Sequence, residues 1–345
     1  MGSIALGGLI GVTVLGWFTS LYGWPLYLEI FSHFQVQYLI LSLGLLGIVA
    51  FTQQKAMVLI GLLCCALLAV QVLSWYTPPA VFASAQTANL RVFAANVNIQ
   101  NKRYEQVLAI ARQASPDLAI FMEVDNDWIA QLNTLRDVLP YSSADLDFPK
   151  PGLVVYSRTA LINLRLEYFA TKKRVSVVAE LEVEDANSRR ISVVATHPLP
   201  PINPALFHSR NRQLDQAASY IQTIEQPTLL VGDLNITMWS PYYKQMADKA
   251  GLINARKGFG IIPTWPRTGI YQSIPSFIHF LSSIPIDHCL HSREIRTVKI
   301  HTGEATGSDH APIIVDLWIP TGRNRPRNLT KPYGSEANDS ARVGT

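Results

Sequence analysis

From Met1 to Trp75 the chain carries only two fully charged side chains, Glu29 and Lys55, and three runs in that stretch have none: Ile4 to Tyr22, Phe34 to Phe51 and Met57 to Trp75. A helix needs about 20 mostly apolar residues to cross the hydrocarbon core of a bilayer. None of the runs has a polar face, which argues against a soluble helical bundle. A cleaved secretory leader fits poorly, because there is no basic start and two further apolar runs follow. The chain is therefore expected to begin with a membrane region, 1–76, of three helices at about 4–22, 34–51 and 57–75. Tyr22, Trp24, Tyr27, Trp75 and Tyr76 fall where amphipathic rings favour the water boundary. Trp24, Pro25, Tyr27 and Glu29 read as an interfacial loop.

Lys55 is the only Lys or Arg before Arg91. The positive-inside rule puts its loop in the cytoplasm. The N-terminus is then inside, and the large domain after the third helix is outside. The expectation is a multi-pass protein of the inner (plasma) membrane, in contact with membrane lipids, its main domain extracytoplasmic or periplasmic.

The remainder has an ordinary soluble composition. Residues 77–88, with Pro78 and Pro79, read as a linker, 89–321 as one folded domain, and 322–345 as a disordered basic tail. The net charge is +4. Much of it sits in that tail, where Arg323, Arg325, Arg327, Lys331 and Arg342 face only Glu336 and Asp339. The basic balance is therefore no argument for a nucleic-acid partner. Three cysteines, two of them adjacent in an apolar run, build no disulfide framework.

Periodicity places strands at Leu90–Val97 and Leu118–Met122, with amphipathic helices at Arg103–Ala114 and Asn126–Leu139. From Leu153 to Thr196 apolar residues recur in short or alternating series, read as adjacent antiparallel strands each buried on one face. A long helix follows at Leu206–Ile224 and a buried strand at Thr228–Val231. Ile284–Leu290 and Pro312–Trp318 read as the last strands. The order points to a layered α/β architecture with mixed sheets.

Polar residues gather where these strands end: Asn96 and Asn98, Glu123, His197, Asp233 and Asn235, Asp287 with His288, and Asp309 with His310. Any one of them has a bland explanation as a turn former or solvated cap; their repetition at so many strand ends does not. The segments Phe93-Ala94-Ala95-Asn96-Val97-Asn98, Ile120-Phe121-Met122-Glu123, Ala195-Thr196-His197, Gly232-Asp233-Leu234-Asn235, Ile286-Asp287-His288 and Gly307-Ser308-Asp309-His310-Ala311-Pro312 resemble, in order, the motif set of the endonuclease/exonuclease/phosphatase (DNase I-like) superfamily. The resemblance spans Asn89 to Pro320.

It implies a four-layered α/β/β/α sandwich and a divalent-metal-dependent phosphoesterase using Mg²⁺ or Mn²⁺. By that resemblance Asn96 and Glu123 hold the metal, with Asp309 as a further ligand. Asp233 orients or deprotonates the attacking water, and Asn235 binds phosphate or nucleophile. His310, oriented by Asp287, faces the phosphate, and His197 donates to a phosphoryl oxygen. Asn98 stands where nuclease members often carry Asp. Asn98 and Arg210 are candidate substrate contacts, although a solvated helix face accounts for Arg210 as well. The chemistry is coherent: a hard cation with oxygen ligands neutralises a phosphate, and imidazole N–H groups meet developing negative charge. Three functions stay open: a nuclease-like phosphodiesterase, a lipid or headgroup phosphodiesterase of sphingomyelinase type, and a catalytically inactive membrane-anchored binding module. The substrate would be a nucleic acid or a phospholipid headgroup. No protein partner is legible.

Overall fold

The computed structural model describes residues 1–22, 25–77, 87–146, 152–170, 174–183, 189–267, 275, 278 and 281–320. Most of the expected linker, all of the expected basic tail, Trp24, Lys172 and Lys173 lie outside the described residues.

The apolar N-terminal region forms helices α1 (Gly2–Leu21), α2 (Leu26–Glu29), α3 (Gln35–Ala50) and α4 (Lys55–Leu73). A 3₁₀ turn, Ile30–Phe34, joins α2 to α3. Three helical stretches are long and apolar enough to cross a membrane: Gly2–Leu21, Leu26–Ala50 and Lys55–Leu73. The second begins earlier than expected, so Glu29 belongs to a helix rather than to a loop.

The rest is built on two six-stranded sheets. The first has β1 (Leu90–Asn96), β2 (Leu118–Met122), β3 (Tyr141–Ser142), β4 (Leu153–Ser157), β11 (Arg296–Thr302) and β12 (Ile313–Trp318), in the order β11-β12-β1-β2-β4-β3. The second has β5 (Leu161–Glu167), β6 (Ser176–Val183), β7 (Arg189–Ala195), β8 (Thr228–Asp233), β9 (Leu252–Asn254) and β10 (Asp287–Ser292), in the order β5-β6-β7-β8-β10-β9. Strands β5, β6 and β7 are the expected antiparallel meander. Strand β4 is not part of it: it pairs with β2 and β3.

Alternation along the central strands builds the layers. Val92 and Ala94 of β1 face a core shared with Val193 and Val231 of the other sheet. Phe93 and Ala95 turn outward, under α5 (Tyr104–Ala114) and α6 (Asn126–Leu132). Likewise Leu229 and Val231 face inward, while Leu230 meets α7 (Pro204–Gln222) and α8 (Pro241–Ala250). Strands covered on both faces read as continuous apolar runs. The result is the four-layered α/β/β/α sandwich. The expected helix Asn126–Leu139 divides: α6 stops at Leu132 and a 3₁₀ turn carries on to Asp137.

The bundle docks on the helical side of the second sheet. Ser20 Oγ donates to the Trp239 carbonyl at 3.0 Å, and Trp239 Nε1 donates to the Gln71 carbonyl at 3.1 Å. Gly258 and Gly260 N–H both donate to the Trp75 carbonyl. The ends of α1 and α4 therefore meet the same face of the domain.

Candidate active site

Topology decides which strand ends meet. The pairs β1/β2 and β7/β8 are parallel, each joined by a crossover helix. Their C-terminal ends therefore open at one edge of each sheet, and β1 and β2 pack across β8. Strands β12 and β10 run antiparallel to β1 and β8, so they begin where those end. Asp287 at the start of β10 sits opposite Asp233 at the end of β8. Asn96, Glu123, His197, Asp233, Asp287 and His310 are thereby brought to one place. Ligand sites favour this end of a layered sheet, where a rigid scaffold meets open loops.

The side chains form a linked cluster. Asn96 Nδ2 donates to Glu123 Oε1 at 3.0 Å and to Asp233 Oδ2 at 3.1 Å. His197 Nδ1 donates to the Asp233 carbonyl at 3.0 Å, and its Nε2 lies 3.6 Å from Glu123 Oε1. His310 Nδ1 donates to Asp287 Oδ2 at 2.9 Å, and its Nε2 lies 3.7 Å from Asp233 Oδ2. Glu123 adopts a left-handed backbone at φ 59°. That geometry costs energy for a residue other than glycine and recurs at functional sites. The close crossing of β7 and β8 needs Gly232, where a Cβ would lie 1.9 Å from the Thr196 carbonyl oxygen.

Charge separates the roles. Burial would raise the Glu123 carboxyl, but hydrogen bonding and charge from His197, the Asn96 amide and the charge of His310 hold it down at about 2. Burial pushes Asp233 up to about 6, with the neighbouring Asp287 charge, against the pull of His310 and His197. Burial would lower His310, but the charges of Asp287 and Asp233 and the bond to Asp287 push it up to about 10. Asp287 stays below the usual carboxylate range despite burial, through the charge and hydrogen bond of His310, then Thr264 and Arg256. Burial opposes protonation of His197, yet Glu123 and Asp233 hold its affinity for a proton above the ordinary value. The site thus contains two anionic carboxylates, Glu123 and Asp287, one carboxylate near its titration point, and two imidazoles inclined to be charged.

The remaining expected residues are placed less uniformly. Asn98, half-buried, donates Nδ2 to Asp309 Oδ1 at 2.7 Å, and Trp265 Nε1 donates to Asp309 Oδ2 at 3.0 Å. Both Asp309 oxygens are thus engaged, and Asp309 enters neither of the potential cation groups found among the described residues. Asn235 N–H donates to Asp233 Oδ1 at 2.9 Å, and its side chain donates to the Pro198 carbonyl. Arg210 stands apart from the expected substrate contact. Its side chain is fully buried, donating to the Asn235 carbonyl at 2.8 Å and to Glu29 Oε1 at 3.2 Å. Two participants were not anticipated. Thr264 Oγ1 accepts the N–H groups of Ile286 and Asp287, and Arg256 is a fully buried cation whose charge acts on Asp287. Both come from an irregular stretch without periodicity to flag them.

Two groups of ligand atoms are compact enough for a cation, each with its atoms within 4.8 Å: Glu123, His197 and Asp233, and Asp233, Asp287 and His310. The second is already committed to the Asp287–His310 ion pair. In the first, the two carboxylates offer oxygen, Asn96 turns its Nδ2 toward them while its Oδ1 accepts the Asn98 N–H, and the buried His197 Nε2 has no hydrogen-bond partner. Oxygen donors of this kind suit a hard divalent cation better than zinc.

A model of the endonuclease/exonuclease/phosphatase family matches residues 87–310. Solved structures share the fold. Zebrafish (D. rerio) TDP2 complexed with single-strand DNA product aligns with a TM-score of 0.55 at 13% identity, over 66% of this chain and 98% of that one. The human Nocturnin catalytic domain with bound sulfate aligns at 0.53 and 17%, over 69% and 97%. An endonuclease/exonuclease/phosphatase from Beutenbergia cavernae DSM 12333 aligns at 0.52 and 18%, over 67% and 72%. No curated protein matches. The family match covers most of the sequence and ends on His310, within the last of the clustered motifs. The chain therefore belongs to the endonuclease/exonuclease/phosphatase family, whose members are phosphoester hydrolases.

Proposed function

We propose that the chain is a membrane-anchored phosphodiesterase, dependent on Mg²⁺ or Mn²⁺, that cleaves its substrate by attack of water. One observation carries this: an anionic Glu123, a titratable Asp233 and a doubly held His310 converge at the ends of strands from both sheets.

Glu123 would hold the cation, and Asn96 would join it by turning toward the site the amide oxygen that now accepts the Asn98 N–H. When bound, the cation supplies neutralisation of the phosphate charge and polarisation of its oxygen. Asp233, held near 6, is suited to accept the proton of the attacking water. Asn235 fixes Asp233 through its backbone N–H. His310, kept protonated by Asp287, donates Nε2–H to a phosphoryl oxygen as charge builds there, and His197 offers a second donor. Asp309 orients Asn98 toward the substrate.

A second reading, a lipid or headgroup phosphodiester as substrate, is favoured by the docked bundle. Thr237 and Trp239, just beyond Asn235, bond to His33 and Ser20 of the apolar N-terminal region. These contacts support a site that works near the membrane boundary. The positive-inside argument from Lys55 favours the extracytoplasmic face. The deciding experiment uses the full chain in nanodiscs with Mg²⁺ or Mn²⁺ and a chromogenic phosphodiester, then plasmid DNA, RNA and phospholipid in parallel. Turnover that EDTA abolishes is expected. No metal-dependent turnover of any of the four would sink the proposal.

A further inference from the structure

Glu29 is the single carboxylate of the apolar N-terminal region, and it is fully buried. An ionised group in such a segment is costly and calls for a partner. Its partner is Arg210, 181 residues away and equally buried. Glu29 Oε1 accepts from Arg210 Nη2 at 3.2 Å and from Ser240 Oγ at 2.5 Å, and His33 Nε2 lies 3.4 Å from Glu29 Oε2. Asn211 Oδ1 accepts from Arg210 Nε and Nη2 and completes the fork. The remaining nitrogen, Nη1, donates to the backbone carbonyl of Asn235. Asn235 is held in a left-handed conformation, φ 52°, and its N–H fixes Asp233 Oδ1.

An unbroken chain of bonds thus runs from the apolar helices to the carboxylate that meets His310. The same loop is gripped at three further points. His33 Nδ1 lies 3.0 Å from Thr237 Oγ1, Ser20 binds the Trp239 carbonyl, and Ser240 binds Glu29 itself. Nothing in simple anchoring requires the anchor to supply a buried charge to the active-site loop. We propose that Glu29 is a positioning residue: through Arg210 it sets the backbone at Asn235, and with it Asp233, so that the membrane bundle completes the catalytic site. The effect on turnover rests on the phosphodiesterase reading; the effect on the loop does not.

The test uses the full chain in nanodiscs with Mn²⁺ and bis(p-nitrophenyl) phosphate. Arg210→Lys keeps the charge opposite Glu29 but cannot also reach the Asn235 carbonyl with a planar fork. The double variant Glu29→Met/Arg210→Met removes both charges, an exchange that buried ion pairs often tolerate. Both are expected to unfold cooperatively, with kcat lowered about tenfold or more and KM within about twofold, since misplacement of reacting groups acts on turnover. Amide hydrogen exchange is expected to quicken about tenfold at residues 235–240 and to stay unchanged in β1 and β2. Unchanged exchange at 235–240, wild-type kcat in a folded double variant, or failure of both variants to fold would each overturn the positioning role. Should the unmodified chain turn over no phosphodiester, the functional reading fails, and hydrogen exchange alone still decides whether Glu29 holds the loop.

Discussion

Asp287 and His310 form a buried ion pair at 2.9 Å, and its other face looks across 3.7 Å to Asp233. Asp287 also lies opposite Asp233 in the sheet, and its charge helps to push Asp233 up. Its contribution is to keep the imidazole charged and in one orientation. Asp287→Asn preserves shape while removing the charge. It is expected to lower kcat about 10²-fold or more and to move the alkaline limb of the rate profile to lower pH. An alkaline limb that stays in place would show that Asp287 does not set the state of His310.

Glu123 is held far down the scale, at about 2. It therefore offers a full charge to a cation at any physiological pH. Glu123→Gln is expected to weaken Mn²⁺ binding at least about tenfold, as lost ligation does, in a titration followed by electron paramagnetic resonance. Its fold should survive, since the side chain is about a third exposed. Unaltered Mn²⁺ affinity would remove Glu123 from the ligand set.

Gly232 lies between the two histidine-bearing ends of the second sheet. A methyl group there meets the Thr196 carbonyl oxygen at 1.9 Å, and that contact is backbone on backbone. Relief requires β7 and β8 to part, which carries His197 away from Asp233. Gly232→Ala is expected to cost about 3 kcal/mol in thermal unfolding and to lower kcat further than the loss of folded protein explains. Wild-type kcat in the folded fraction would separate strand spacing from catalysis.

How much of this was legible in the sequence depends on the range of the interaction. Strands β1 and β2 were readable because both faces are buried, and β5 to β7 from their short alternating apolar series, although β6 and β7 turn out to be largely covered on both faces, with Val178 and Val194 under the helices. The pairing of β4 with β2 was not, since the run from Leu153 looks locally like the next member of the meander and its partner lies across a helix. Helix α8 went unread although Ser240 caps it, Pro241 opens it and Gly251 closes it in a left-handed turn. Its apolar residues, Tyr243, Met246 and Ala250, make too narrow a stripe to stand out. The clustered site residues were legible because each ends a strand. Thr264 and Arg256 lack that signal. Glu29 drew notice as one of two charges in the apolar region and Arg210 as a candidate substrate contact, but only the fold could bring one to the other.

The histidines of the domain divide by environment, and the metal-free protein should record this in its stability. His310 is held up at about 10, so its contribution is complete below the unfolded value near 6.5 and is lost as pH rises through 10. His288 and His291 act in the opposite sense. Burial, and for His288 the Arg256 charge, hold them down at about 3 and about 4, so both stay neutral when folded. Their contributions are complete above 6.5 and are lost as pH falls toward those values. Asp233 partly offsets this, because its folded value near 6 favours the protonated form between the unfolded 3.8 and 6. Each uncompensated proton changes stability by about 1.4 kcal/mol per pH unit. With EDTA present, the melting temperature is expected to peak near pH 6.5 and fall on both sides. His310→Gln should flatten the alkaline side alone, and His288→Asn the acid side alone. An alkaline slope that survives His310→Gln would mean that the proton is held elsewhere.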